Sequence, residues 1–383
     1  MDFEDEIGRL NEHFFYKEFI FSKNTFRPHP DRELELADNI LWLDDLLVVF
    51  QLKERGVSTD STEERESKWF RRKVINKGTR QIRDTLDYMK KYKNIELENH
   101  RGHKFTLDES RITMRHNVVS FSAHTKLPVE CRLKKRHRSR TAGVIHLIPA
   151  NDYWGIVQTL LTPMELCEYL NFREKLVEKW EKEIEPLPEH AILGQYLSGD
   201  NNSIPCLAFT QYLVALDHRI DEWDISGIIK NFPDRVTSQN EPTDYYNIIL
   251  ELAKLKRMEL REFKTRYKMS IDKCRANEIT HPYRIACPRT NCGFVFIPLN
   301  KEFLNNRRKG LKNLTLACKY DLKLSKCIGA SFAPDNDGWY SVEWCYMEFP
   351  WEFNLDLDKM LTINNPFREV NTTEIPKYTF KKE

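Results

Sequence analysis

The chain has 383 residues, 40% hydrophobic and 31% charged, with a net charge of only +2. That length exceeds one ordinary core and predicts about two domains, the composition excludes a largely disordered chain, and no apolar run approaches the ~18 residues of a membrane helix. The N-terminus MDFEDEIGRL is acidic and lacks the apolar stretch of a signal peptide, so the expectation is a cytoplasmic protein without a membrane partner.

Phe3, Ile7, Leu10 and Phe14 recur at helical steps and predict a helix over 3–20. The two prolines of FRPHPDRE break it. LELADNILWL and LLVVFQLK follow as strand-like runs joined at Asp44-Asp45, the pattern of a hairpin. STDSTEERES offers N-caps for a long helix over roughly 62–92. RITMRHNVVSFSA and GVIHLIPA read as strands. The texture changes near 150: residues 151–184 are strongly helical, with a helix start at Pro163 after Thr162. An amphipathic helix is predicted over 244–268, and YRIACP, GFVFIPL and WYSVEWCYMEF return as strand-like pieces. These elements predict an α/β domain over 1–150 and an α+β domain over 151–383, with room for a further split near 280.

Charge is unevenly placed. Lys68 to Arg83 carries seven Lys or Arg and no acid, and Arg132 to Arg140 reads RLKKRHRSR. Basic patches on a near-neutral chain suit a partner that carries phosphates, although a solvated surface gives the same pattern. The candidate nucleic-acid contacts are Lys73 and Lys77, on a four-residue stripe with Trp69 and Gln81, together with Lys134, Lys135, Arg136 and Arg138. His116, His124, His137 and His146 fall in or near the second run and read as phosphate contacts or as ordinary surface histidines. The nine cysteines read mostly as small buried apolar residues. Cys287, Cys292, Cys318 and Cys327 are zinc candidates whose spacing departs from the short pairs of structural zinc sites. No Walker A, GxGxxG or HExxH sequence occurs.

The hairpin concentrates the chemistry. If Asp44-Asp45 is a two-residue turn, paired positions sum to 89 and Asp38 lies opposite Gln51. Gln51 and Lys53 then share a face with Asp38, among apolar neighbours. Phosphodiester hydrolysis calls for a hard cation that polarises the phosphate and acidifies the attacking water. Mg²⁺ takes oxygen ligands: Asp38 offers a carboxylate, Gln51 an amide oxygen and Leu52 a carbonyl. Lys53 can orient the water or stabilise charge on the phosphate. A strand ending in exposed charges would show the same residues.

ELADNILWLDDLLVVFQLKER resembles the central hairpin of the PD-(D/E)XK nuclease superfamily, in which an acidic residue on one strand precedes an apolar strand ending in acid-x-Lys. The resemblance covers about residues 3–150. It includes a helix before the hairpin and a long helix after it, whose Gln81 and Tyr88 in QIRDTLDY are loosely similar to the glutamine-tyrosine helix of RecB-like members. Three features depart from the pattern. Gln51 stands where the second carboxylate is usual, a QxK variant also found in active Mrr-type restriction endonucleases and in antiphage effector nucleases. Ala37 replaces the proline. The helix-1 glutamate is open among Glu6, Glu12 and Glu18, with Glu12 favoured. Glu35 falls on the opposite face from Asp38 unless a bulge intervenes.

The resemblance implies a restriction-endonuclease-like mixed sheet flanked by helices. It also implies catalytic Asp38, Gln51 and Lys53, with Glu12 and Gln81 as secondary candidates, and Mg²⁺ (Mn²⁺ able to substitute) held by Asp38, Gln51 and Leu52. By the same analogy the chain is a DNA endonuclease of a restriction or antiphage-defence system, and residues 151–383 serve recognition, homo-oligomerisation or a partner subunit. The alternatives are a catalytically inactive nucleic-acid-binding module and an assembly subunit of a multi-protein defence complex.

Overall fold

A computed structural model describes residues 2–22, 24–29, 31–56, 61–217, 220–230, 232–235, 241–335 and 339–368. The chain divides into two compact units, 1–219 and 220–376. The first begins with α1 (Phe3–Phe15), β1 (Ile20–Ser22), a hairpin of β2 (Thr25–His29) and β3 (Arg32–Glu35), then β4 (Asn39–Leu43) and β5 (Leu46–Glu54). A long helix follows, made of α2 (Glu63–Trp69), a π-wound stretch Phe70–Lys77 and α3 (Gly78–Lys91). Next come the hairpin β6 (Ile95–Glu98) and β7 (Lys104–Leu107), β8 (Met114–Ser122), α4 (Val129–Leu133), β9 (Arg136–Ser139) and β10 (Gly143–Pro149). Helices α5 (Ala150–Thr159), α6 (Pro163–Lys179), α7 (Glu181–Ile184), α8 (Glu189–Ser198) and α9 (Gln211–Asp217) complete it.

The architecture is mixed α/β. Six strands form one sheet in the order β1-β4-β5-β8-β10-β9, parallel across β5, β8 and β10 and antiparallel elsewhere. Helices cover both faces, which is why β5 is buried continuously from Leu46 to Lys53 instead of alternating. On one face Gly78 of α3 lies against Val119 of β8, where a Cβ would come within 3.0 Å of Val119 Cγ2. On the other face Phe50 meets Tyr153 of α5, ring centroids 5.6 Å apart. The β4–β5 register has Asn39 opposite Phe50, Ile40 opposite Val49 and Leu43 opposite Leu46, as the two-residue turn predicts. Asp44 takes the left-handed conformation there (φ 53°), which a short polar side chain tolerates better than most.

The long helix over 62–92, the strands at β8 and β10, and the Thr162 cap with Pro163 at the helix start are all present; Thr162 Oγ1 accepts from Glu165 N–H at 3.2 Å. Helix 3–20 is shorter than expected. It stops at Phe15, Tyr16 turns to φ 68°, and Ile20–Ser22 instead pair with β4. The domain boundary near 150 is also corrected. α5 and α6 belong to the first unit, where they cover its sheet, and Tyr153 Oη donates to Asn11 Oδ1 of α1 at 2.6 Å.

The second unit contains α10 (Ser226–Ile229), α11 (Phe232–Arg235), α12 (Tyr246–Ala253), α13 (Arg257–Arg275), β11 (Tyr283–Cys287), β12 (Cys292–Pro298), α14 (Arg307–Asp321), β13 (Lys326–Pro334), β14 (Tyr340–Glu348) and α15 (Leu355–Ile363). The four strands form a sheet in sequence order, with β12 and β13 parallel. Phe263 of α13 packs on Phe294 and Phe296. On the opposite face a Cβ at Gly329 would collide with Thr315 of α14. The helix expected over 244–268 is thus two helices, and no split falls near 280, because α13 packs on the strands that follow it. Cys287, Cys292, Cys318 and Cys327 are buried free thiols. They form no metal-ligating cluster among the described residues. None of the described helices is long and apolar enough to cross a membrane.

Candidate functional site

Asp38 sits in the bend just before β4, and its depth is fixed by a buried polar chain through its neighbour. Asn11 of α1 donates to Asn39 Oδ1 at 2.8 Å, and Asn39 donates to Ser22 Oγ at 2.8 Å. Leu52 N–H donates to Asp38 Oδ2 at 2.5 Å, closing the sheet across the position that pairs Asp38 with the end of β5. Lys53 Nζ then lies 3.2 Å from Asp38 Oδ2, 3.4 Å from Gln51 Oε1 and 2.7 Å from the Leu52 carbonyl oxygen. One ammonium is therefore surrounded by the three oxygens that the sequence nominated as cation ligands. Asp38, Gln51 and Lys53 are all buried. Burial lowers the Lys53 pKa and Lys77 adds to the effect, while Asp38 opposes both.

Asp38 lines a cleft of about 830 Å³ with Glu4, Glu12, Glu35, Glu96 and Glu98. Two of these acids sense Asp38 directly. Glu4 and Glu35 have raised pKa values, mainly from burial and next from the Asp38 charge. Glu4 was missed by sequence reasoning and Glu35 was set aside; the break between β3 and β4 lets Glu35 return to the Asp38 side despite its odd spacing. The favoured Glu12 has a partner of its own. It lines the same cleft but pairs with His100 (Oε1 to Nε2 2.8 Å), and burial, not Asp38, raises its pKa. Glu18 pairs with Arg101 at 3.0 Å, and Glu6 accepts from Trp154 Nε1 at 3.1 Å.

Gln81 lies half-buried on α3, and its Oε1 is enclosed without a hydrogen-bond partner among the described residues. Tyr88 instead packs on Phe26 and Tyr92. Lys73 and Lys77 are exposed and line an open depression with Arg72, Asn76 and Arg80. This stretch carries the π winding, a feature often kept at functional positions. The charge of Lys77 reaches both Lys53 and Glu35, so the basic helix borders the Asp38 cleft.

The second basic run is partly neutralised by acids of the same unit, which weakens its reading as a phosphate surface, although Lys134, Arg138 and Arg140 remain exposed. Lys135 is buried 3.6 Å from Glu189. Arg136 pairs with Glu178 and Glu181 at 3.5 and 3.7 Å, and Arg138 pairs with Glu178. Of the four named cations, only Lys134 is exposed and without an ion pair among the described residues. Sequence alone could not reveal these partners, because they come from α6, α7 and α8.

No protein-family model matches the chain, and neither curated proteins nor solved structures give a match.

Proposed function

We propose that the first unit is a divalent-cation-dependent nuclease of the PD-(D/E)XK kind, in its QxK form, acting on DNA phosphodiester bonds as an endonuclease. The observation that carries this reading is the convergence of Asp38 Oδ2, Gln51 Oε1 and the Leu52 carbonyl on one cationic point, the Lys53 ammonium. The donor set is all oxygen with one charge, which fits Mg²⁺ or Mn²⁺. A cation bound there would polarise the phosphate and acidify the attacking water. Lys53 shares these oxygens, so its ammonium can turn to the water or to charge developing on the phosphate when another cation satisfies them. The acids Glu4 and Glu35 make the cleft repel a bare polyanion, and this too favours a cation as part of the substrate complex. Lys73, Lys77, Arg72 and Arg80 offer the adjoining backbone contacts. A restriction or antiphage role, with the second unit serving recognition or assembly, rests on the sequence resemblance.

The test is incubation of the purified chain with plasmid, linear duplex, single-stranded DNA and RNA, each with Mg²⁺, Mn²⁺ or EDTA. The expected result is cleavage of DNA that Mg²⁺ or Mn²⁺ supports and EDTA abolishes. Binding without cleavage under every condition would favour the inactive module instead.

A further inference from the structure

On the opposite face of the same sheet, a second group of ligand-bearing side chains plays no part in the nuclease reading. His116 lies near the start of β8, and His146 lies on β10 directly beside Val118 of β8. His116 and Val118 are two positions apart on one strand, so both imidazoles leave one face of the sheet. α6 covers that face and supplies Glu174. One ligand atom from each of His116, His146 and Glu174 lies within 4.8 Å of the others. The imidazole centroids are 5.7 Å apart, and both rings are buried. The group faces a cavity of about 500 Å³ that Arg115 and Asn117 also line. This cavity shares no lining residue with the Asp38 cleft.

A packing role accounts poorly for His116. Its ring engages the backbone of Cys167, yet Nε2 is enclosed without a hydrogen-bond partner while the residue is only 4% exposed. An unspent buried polar atom is costly and rare, and an apolar side chain would fill the space at less cost.

We propose that His116, His146 and Glu174 form a binding site for a divalent transition-metal ion of the zinc class. Two imidazole nitrogens and one carboxylate oxygen make a donor set suited to zinc with a fourth position left open, and unsuited to Mg²⁺ or Ca²⁺. Arg173 fixes the tautomer of the second ligand in the metal-free chain. Its Nη1 lies 3.2 Å from His146 Nδ1 and can only donate, so Nδ1 is the acceptor and Nε2 carries the ring proton in the metal-free chain. Ligation through the Nδ1 lone pair would take the place of that hydrogen bond and leave the Nε2 proton on the ring, so the imidazole stays neutral and no proton is released. The Arg173 charge is already met by Glu189, Nε to Oε1 2.6 Å.

The experiment takes the full chain, strips it with EDTA, and reloads it with Zn²⁺ or Co²⁺ in excess Mg²⁺, so that all-oxygen sites are filled. Metal content after desalting, Co²⁺ absorption and melting temperature are read for the parent, His116→Gln and Glu174→Gln. The parent should hold about one zinc per chain, show the visible bands of nitrogen-ligated Co²⁺, and melt several degrees higher with zinc. Either substitution should weaken zinc binding by about 100-fold or more, since even outer-shell changes cost about 10–100-fold. Glu174 is only half-buried, so Glu174→Gln keeps the test readable if His116→Gln fails to fold. A parent that retains no zinc overturns the proposal, as does equal zinc retention and thermal shift in Glu174→Gln.

Discussion

At the residue scale, Lys53 carries two loads. Sequence reasoning expects Lys53→Ala to spare the fold, because Phe50 and Leu52 pack the strand end. The structure changes that expectation, because Lys53 and Asp38 form a buried ion pair. Removing one partner of such a pair costs about 3–5 kcal/mol. Lys53→Ala should therefore lower the melting temperature and also slow cleavage by about 10²-fold or more. The double variant Asp38→Asn/Lys53→Ala should recover much of the stability and none of the cleavage; recovery of both would remove the pair from catalysis. A second expectation concerns pH. Glu4 and Glu35 have raised pKa values in the folded chain, so between the ordinary carboxylate range and those raised values the folded state binds more protons than the unfolded one. Their contribution to stability thus falls as pH rises through that window and recovers on acidification. A bound divalent cation relieves the same repulsion. Thermal scans with and without Mg²⁺ should show a larger stabilisation at pH 8 than at pH 5, and an equal shift at both would count against a cation among these acids.

At the element scale, the hairpin and the long helix after it were legible, and the way the helices lie on the sheet was not. A two-residue turn sets the β4–β5 register by counting, so the Asp38–Gln51–Lys53 convergence follows from local pattern alone. The partners of α1 depend on how that helix lies across the sheet, which periodicity does not encode; that is why Glu12 was preferred and Glu4 overlooked. The same limit applies to Lys135, whose partner Glu189 arrives from α8. Two tests belong here. Gly78→Ala adds a methyl within 3.0 Å of buried Val119, so it should destabilise by about 1–3 kcal/mol through overpacking, despite a better helix propensity. Pairing it with Val119→Ala should return part of the loss, and a Gly78→Ala protein as stable as the parent would mean that α3 sits further from β8. Glu189 is held down to about 2, although burial, the largest influence, acts to raise it; Arg173 and Lys135 outweigh that effect. Its contribution is therefore present above the ordinary Glu pKa and lost as pH falls through the folded value. Arg173→Met should cost up to about 3–5 kcal/mol at neutral pH, because buried Glu189 keeps only Lys135 at 3.6 Å and the Tyr169 hydroxyl as partners. Urea unfolding of the variant measures that loss directly.

At the scale of the whole molecule, α5 and α6 read from sequence as the start of a new domain, because an amphipathic helix does not announce which sheet it will cover. They cover the sheet of the first unit. A fragment ending at 150 should therefore expose Phe50 and leave Asn11 without Tyr153, and should fail to unfold cooperatively, whereas 1–219 should melt as one transition. The central claim is that the three oxygens around Lys53 are a cation site that cuts nucleic acid. Its most direct measurement is plasmid cleavage with Mg²⁺ by Asp38→Asn beside the parent, with melting temperature and DNA binding followed on the same samples. Asn keeps an acceptor for the Leu52 N–H and removes the only carboxylate of the three-oxygen set. The prediction is a parent that cleaves and an Asp38→Asn protein that melts lower, because Lys53 loses its buried partner, yet stays folded at the assay temperature, binds DNA and cleaves slower by about 10²-fold or more. Equal cleavage by the two proteins would contradict it.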